Sequence, residues 1–173
     1  QGIIECAMLS APELINYNLN EVVTDITPAV PGGAFAGVAS ANINADRWKA
    51  MGAAEREALL WAGTQLTASA TWNFYTDDNR AIEDAQARGI KLHEAAPELI
   101  AEVQEFSGQD LQTVAGLFME DYGVERAEVI IEEFRPMLEK WYDLVNNVET
   151  KDQLHQLYWD QVSSKIDPAT YAN

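Results

Sequence analysis

The sequence predicts an α/β fold in two lobes, bridged by one long helix and finished by a helical C-terminal end. Two observations carry that expectation. The first is a proline-free, apolar-striped run over 46–88, which as a single helix would be ~64 Å long at 1.5 Å per residue. A compact chain of 173 residues has a diameter of about 40 Å, so such a helix overshoots one lobe. A coiled coil would also house it. However, Trp48, Met51, Ala54, Leu59, Leu60, Leu66, Ala70, Phe74 and Ile82 follow a 3.6-residue period and not an a/d heptad. The second observation is the order of elements: short apolar and β-branched runs flank this helix, and helical patterns gather at the end, as in α/β proteins with parallel strands.

Residues 2–9 (Gly-Ile-Ile-Glu-Cys-Ala-Met-Leu) read as a short buried strand. Ser10 then caps a short helix reaching about Asn20, with Pro12 near its first position. Residues 22–27 are β-branched and strand-like, and 28–33, with two prolines and two glycines, form a turn. The small, alternating residues of 34–43 suit a central strand that another backbone or a ligand approaches closely. Asn44-Ala45-Asp46 caps the long helix and Gly89 ends it in the C′ position. A return strand follows at 90–94. Pro97 opens a helix carrying Leu99, Ile100, Val103, Phe106, Leu111, Val114 and Phe118. Gly123 separates it from 124–148, where Ile130, Ile131, Phe134, Leu138, Trp141 and Val145 form a stripe and Pro136 introduces a kink. A last amphipathic helix covers 151–164, before a tail. The expected organisation is 1–45 contributing strands and a short helix to both lobes, 46–89 the interlobe helix, and 90–173 the return strand and C-terminal helices. Three or four strands are too few for a doubly wound sheet, so the sheet is expected to be completed from outside this chain.

Composition narrows the function classes. A hydrophobic content of 47% supports a real core, and no run reaches the ~18 apolar residues a bilayer requires. The start lacks the basic and apolar regions of a signal peptide, and the chain opens on Gln1. It is therefore expected to be processed or part of a longer protein. The net charge of -17, from 28 acidic and 11 basic residues, argues against nucleic acid and anionic membrane surfaces as partners. The single Cys6, in an apolar run and expected to be buried, excludes an intrachain disulfide and a multi-cysteine metal site.

Signals of catalysis are poor. His93, beside Glu94, reads as a strand-edge residue. His155 forms one carboxylate-x-x-His pair with Asp152, where a di-metal helix bundle needs two such pairs and two further carboxylates. No nucleophile elbow, phosphate loop or dinucleotide glycine pattern occurs, and Gly32-Gly33 is explained by a turn. Glu132-Glu133 and Asp77-Asp78 diverge by about 100° on their helices, so neither pair acts jointly on a substrate. Trp48, Trp61, Trp72, Trp141 and Trp159 lie at helical spacings and are expected mostly to pack, with one or two bordering a ligand cleft. No catalytic residue, cofactor or metal is expected, and the chain does not read as an enzyme. Ligand-facing candidates are Met8, Leu9 and Ser10 after the first strand and Phe35 on the second, because open α/β sheets bind small ligands at strand ends facing a crevice.

QGIIECAM, INADRWKAMGAAEREALLWAG, AIEDAQARGIKLHE and SKIDPATYAN, in that order and spacing, resemble stretches in the C-terminal half of the DctP-type substrate-binding proteins of TRAP (tripartite ATP-independent periplasmic) transporters. QGIIECAM is similar to that family's Gly-hydrophobic-hydrophobic-acidic segment, which enters a strand of the second lobe. INADRWKAMGAAEREALLWAG resembles a strand, Asn-x-x-x-Trp and the start of the hinge helix. AIEDAQARGIKLHE is similar to the helix end with its return strand, and SKIDPATYAN to one branch's terminus. Order and spacing over nearly the whole chain carry the resemblance. It implies a two-lobed periplasmic-binding-protein-like fold that closes over a small organic carboxylate and delivers it, in the periplasm, to TRAP membrane permease subunits. The arginine that forks onto the carboxylate in that family lies in the N-terminal half, outside this chain. The complete binder would be a monomer, whereas this half alone is expected to dimerise or swap strands. Where relatives place an Asn for sialic acid, or a Glu-Trp pair for keto acids with a metal, Met8 and Leu9 stand here. This argues against both ligands and for an apolar patch beside the substrate.

Two other classes compete with this reading. An α/β enzyme would need a polar constellation in the cleft, which the sequence does not supply. A helical interaction or scaffold domain would centre on 97–164 and expose Phe106, Phe118, Phe134 and Trp141, residues that the binder would bury under its sheet.

Overall fold

Helix dominates the computed structural model, which describes residues 3–30 and 41–172, and the strands reduce to one short parallel pair. The chain runs α1 (Glu13–Asn16), a 3-10 turn (Leu19–Glu21), β1 (Asp25–Ile26), α2 (Ala45–Lys49), α3 (Ala53–Ala87), β2 (Lys91–Leu92), α4 (Pro97–Tyr122), α5 (Ala127–Val145) and α6 (Lys151–Gln161), with a closing 3-10 turn (Ser163–Lys165). Two compact units emerge, one from Gln1–Ala36 with Asp78–Asp143, the other from Gly37–Asp77 with Leu144–Asn173. Helix α3 supplies residues to both.

Local chemistry explains the helix ends. The Asn44 side chain caps α2 by accepting from the Arg47 amide at 3.1 Å. Helix α3, 35 residues long and so ~52 Å, starts where Glu55 Oε2 accepts from the Gly52 amide at 2.8 Å. It stops at Gly89, whose φ of 82° lets the Ile90 amide reach back to the Ala85 carbonyl. Gly123 does the same after α4 with φ 67°, and the Val124 amide donates to the Phe118 carbonyl. Thr150 and Gln153 form a reciprocal capping box at α6.

In the first unit, Leu14, Ala85 and Ile90 are buried, and Leu19, Val23 and Ile26 pack against them. Asn20 Nδ2 donates to Asp84 Oδ2 at 2.8 Å, joining the 3-10 turn to α3. Strands β1 and β2 pair in parallel with Asp25 opposite Lys91 and Ile26 opposite Leu92. A parallel pair needs a crossover connection, and α3 lies within it. In the second unit Trp48, Ala68 and Leu154 are buried together with Arg56, Thr64 and His155. The indole of Trp48 donates to the Tyr171 carbonyl at 2.8 Å, and Thr64 and Ser163 share a 2.6 Å hydrogen bond. With Arg56 Nη1 of α3 donating to the Pro168 carbonyl at 3.2 Å, the tail over 168–171 is held against α2 and α3.

Several expectations are corrected. Residues 3–9 form no strand and are exposed, Cys6 included. A β-prone run becomes a strand only when another strand accepts its ladder, and none among the described residues does so here. The helix expected from Pro12 to Asn20 divides into α1 and the 3-10 turn, with Asn18 between them at φ 54°. The helix expected over 46–88 breaks at 50–52, because Gly52 acts as a start signal with Glu55 three residues on. Of the strand expected over 34–43, residues 41–43 are non-regular and the rest lies outside the described residues. The strands expected at 22–27 and 90–94 narrow to two residues each. Pro136, expected to kink its helix, lies inside α5 and does not end it. Phe106, Phe118 and Phe134 are exposed, and Trp141 is half-buried.

Candidate functional site

Of the residues expected to face a ligand, Met8 and Leu9 are exposed in the segment before α1, and Ser10 is half-buried with its carbonyl accepting from the Glu13 amide at 3.1 Å. Sequence adjacency alone brings these three together. Phe35 lies outside the described residues.

The strand pair carries a polar cluster that sequence reasoning did not assemble. The His93 ring donates from Nε2 to Asp25 Oδ1 at 2.7 Å, and Lys91 Nζ lies 3.9 Å from the same oxygen. Hydrogen bonds from His93 first, then from Thr24, with the Lys91 charge adding to them, hold the Asp25 carboxyl below its ordinary 3.8. This cluster fastens the strands to one another. The signal was the parallel register itself, which sets Asp25 opposite Lys91 and cannot be read before the partner strand is known.

The second unit builds an aromatic corner. Trp61 meets Trp159 with ring centroids 4.8 Å apart and planes 72° apart, and meets His155 at 4.3 Å and 68°. Helical spacing produces the arrangement: His155 and Trp159 are four apart on α6, as are Glu57 and Trp61 on α3. Ala54, Glu57, Ala58, Trp61 and Trp159 line an open recess of about 360 Å³. Buried behind it, His155 Nε2 has no hydrogen-bond partner among the described residues. Asp152, its expected carboxylate companion, is exposed, and no group of three or more candidate metal ligands converges among the described residues.

The first unit adds an apolar groove of about 350 Å³ between α4 and α5, lined by Leu111, Ile130, Ile131, Phe134, Arg135 and Leu138. No described helix is long and apolar enough to cross a membrane.

Among the described residues these features define a helix-rich chain with a parallel strand pair and at least two surface recesses. No protein family, curated protein or solved structure compared with it matches.

Proposed function

We propose that the chain is the C-terminal half of a solute-binding component of a TRAP-type secondary transporter, which captures a small organic carboxylate in the periplasm and hands it to the membrane permease. The observation that carries this reading is the β1–β2 pair. Its two strands are parallel and connected through α3. Parallel sheets occur almost only as buried, multi-stranded layers covered by helices, so a pair of two-residue strands reads as one part of a larger sheet. In this reading further strands come from the other half of a two-lobed molecule and α3 is the spine shared by the lobes. Met8, Leu9, Ser10 and Phe35 border the ligand, which carries an apolar portion. No bond is made or broken.

A thermal-shift screen of the complete native polypeptide against aliphatic and aromatic carboxylates tests the proposal. A true ligand at 100 times its Kd stabilises by about 2.7 kcal/mol, so one carboxylate class should raise Tm by several degrees. Intact mass and N-terminal sequencing of the same sample should reveal a longer chain. A native polypeptide that starts at Gln1 and responds to no acid refutes the reading.

A second reading is favoured by the exposure of Phe106, Phe118 and Phe134 on α4 and α5. These faces would dock a protein partner in a helical interaction domain, whereas in the solute-binding reading the other half of the molecule covers them. Solvent accessibility of these three rings in the complete polypeptide separates the two.

A further inference from the structure

We infer that the recess bounded by Trp61, Trp159 and Glu57 is a binding site for a small quaternary ammonium cation. It lies in the second unit, shares no residue with the proposed carboxylate site, and stands or falls independently of it. Trp61 and Trp159 meet edge to face, with planes 72° apart and centroids 4.8 Å from one another, so a cation lodged in the angle between them would lie against the face of one indole and beside the other. Aromatic faces carry the negative part of the ring quadrupole and attract cations that shed water easily. Glu57 adds a formal negative charge to the same lining.

The remaining wall is made by Ala54 and Ala58, whose small side chains leave the space open; its volume of about 360 Å³ accommodates a small molecule. Chemistry selects among cations. A primary ammonium carries three N–H donors, and Glu57 is the one charged acceptor side chain in the lining. A quaternary ammonium has no N–H to satisfy, and its methyl groups suit indole and alanine surfaces. An anion would meet Glu57, two ring faces and a chain of net charge -17. Contact with His155 at 4.3 Å holds the Trp61 plane from within the unit.

The test is an NMR titration of the full chain, following the indole N–H signals of Trp61 and Trp159. Choline is the probe. Its uncharged isostere 3,3-dimethylbutan-1-ol and n-butylammonium are the comparisons. Choline should give saturable shifts at both indoles and bind about fivefold more tightly than the isostere, the difference that cation–π attraction supplies at an exposed site. Glu57→Gln, at an exposed position, should weaken choline about threefold while leaving Tm unchanged. Trp159→Leu should abolish saturation. Equal binding of the isostere, non-saturating shifts, or full affinity in Glu57→Gln would overturn the site. n-Butylammonium binding as tightly as choline would overturn the quaternary assignment.

Discussion

Replacing Arg56 with Ala should cost about 3 kcal/mol and free the C-terminal tail. The guanidinium is buried, with 5% of the residue exposed. Its Nε donates to the Trp48 carbonyl at 3.0 Å and Nη2 to the Lys49 carbonyl at 3.1 Å, at the end of α2. Nη1 donates to the Pro168 carbonyl at 3.2 Å, with the Ala169 carbonyl at 3.5 Å. The same group lies 5.4 Å from the Trp48 ring centroid. Each charged hydrogen bond contributes about 1.5–3 kcal/mol. Neighbouring bonds are not additive and water reaches part of the vacated space, so a loss of about 3 kcal/mol follows rather than the full sum. Lysine keeps the charge but lacks the planar fork that reaches carbonyls on both sides, so Arg56→Lys should recover about 1 kcal/mol at most. With a urea m-value near 2 kcal/mol/M, Arg56→Ala should lower the unfolding midpoint by about 1.5 M. Hydrogen exchange should meanwhile show lost protection at the Tyr171 amide, which donates to the Asp167 carbonyl at 3.0 Å. A midpoint within about 0.5 M of wild type together with an undisturbed Tyr171 amide would refute the clamp.

Ile90→Ala should destabilise the first unit by about 2–4 kcal/mol, since Ile90 is buried against Leu14 and Ala85, and chemical denaturation measures it. Thr150→Ala removes one half of the capping box of α6 and should cost about 1 kcal/mol, read as a lower Tm with unchanged helical circular dichroism. The carboxyls of Asp25, Asp84 and Asp167 are all held below 3.8, chiefly by hydrogen bonds from His93, Asn20 and the Ala169 amide respectively. A depressed folded-state value contributes stability that is present above the unfolded-state value and disappears as pH falls through the folded one. Tm should therefore drop as the solution is acidified below about pH 4, and Asp84→Asn should flatten that drop; an unchanged slope would show that Asp84 is not a source.

Helix termini were the most legible part of the fold. Asn44, Gly89, Pro97 and Gly123 each mark an end that the structure contains, because capping and left-handed backbone are decided within a few residues. Gly-x-x-Glu at 52–55 is a start signal of the same kind, so the break between α2 and α3 is also legible in the sequence. Strands were less legible. The runs at 22–27 and 90–94 were recognised and shortened, whereas 3–9 stayed unpaired with the same apolar character. The candidate residues Met8, Leu9 and Ser10 depended on that strand and so meet no further element. One or two of the five tryptophans are expected at a cleft from sequence, but that Trp61 and Trp159 are the pair that meets depends on how α6 lies on α3.

The sequence by itself determined several helix ends, at Asn44, Gly89, Pro97 and Gly123, that α3 is long, and that the chain is strongly acidic. These follow from hydrogen bonds between residues three to five apart, from backbone angles only glycine adopts freely, and from a count of charges. The tertiary structure alone decided that Asp25 meets Lys91 and His93, that a cationic side chain at position 56 is buried under carbonyls of residues 48, 49, 168 and 169, and that His155 lies behind Trp61. Apart from the Arg56 bonds to the neighbouring carbonyls of 48 and 49, those contacts join elements distant in sequence, so their energy depends on which surfaces meet, and no local propensity encodes that choice.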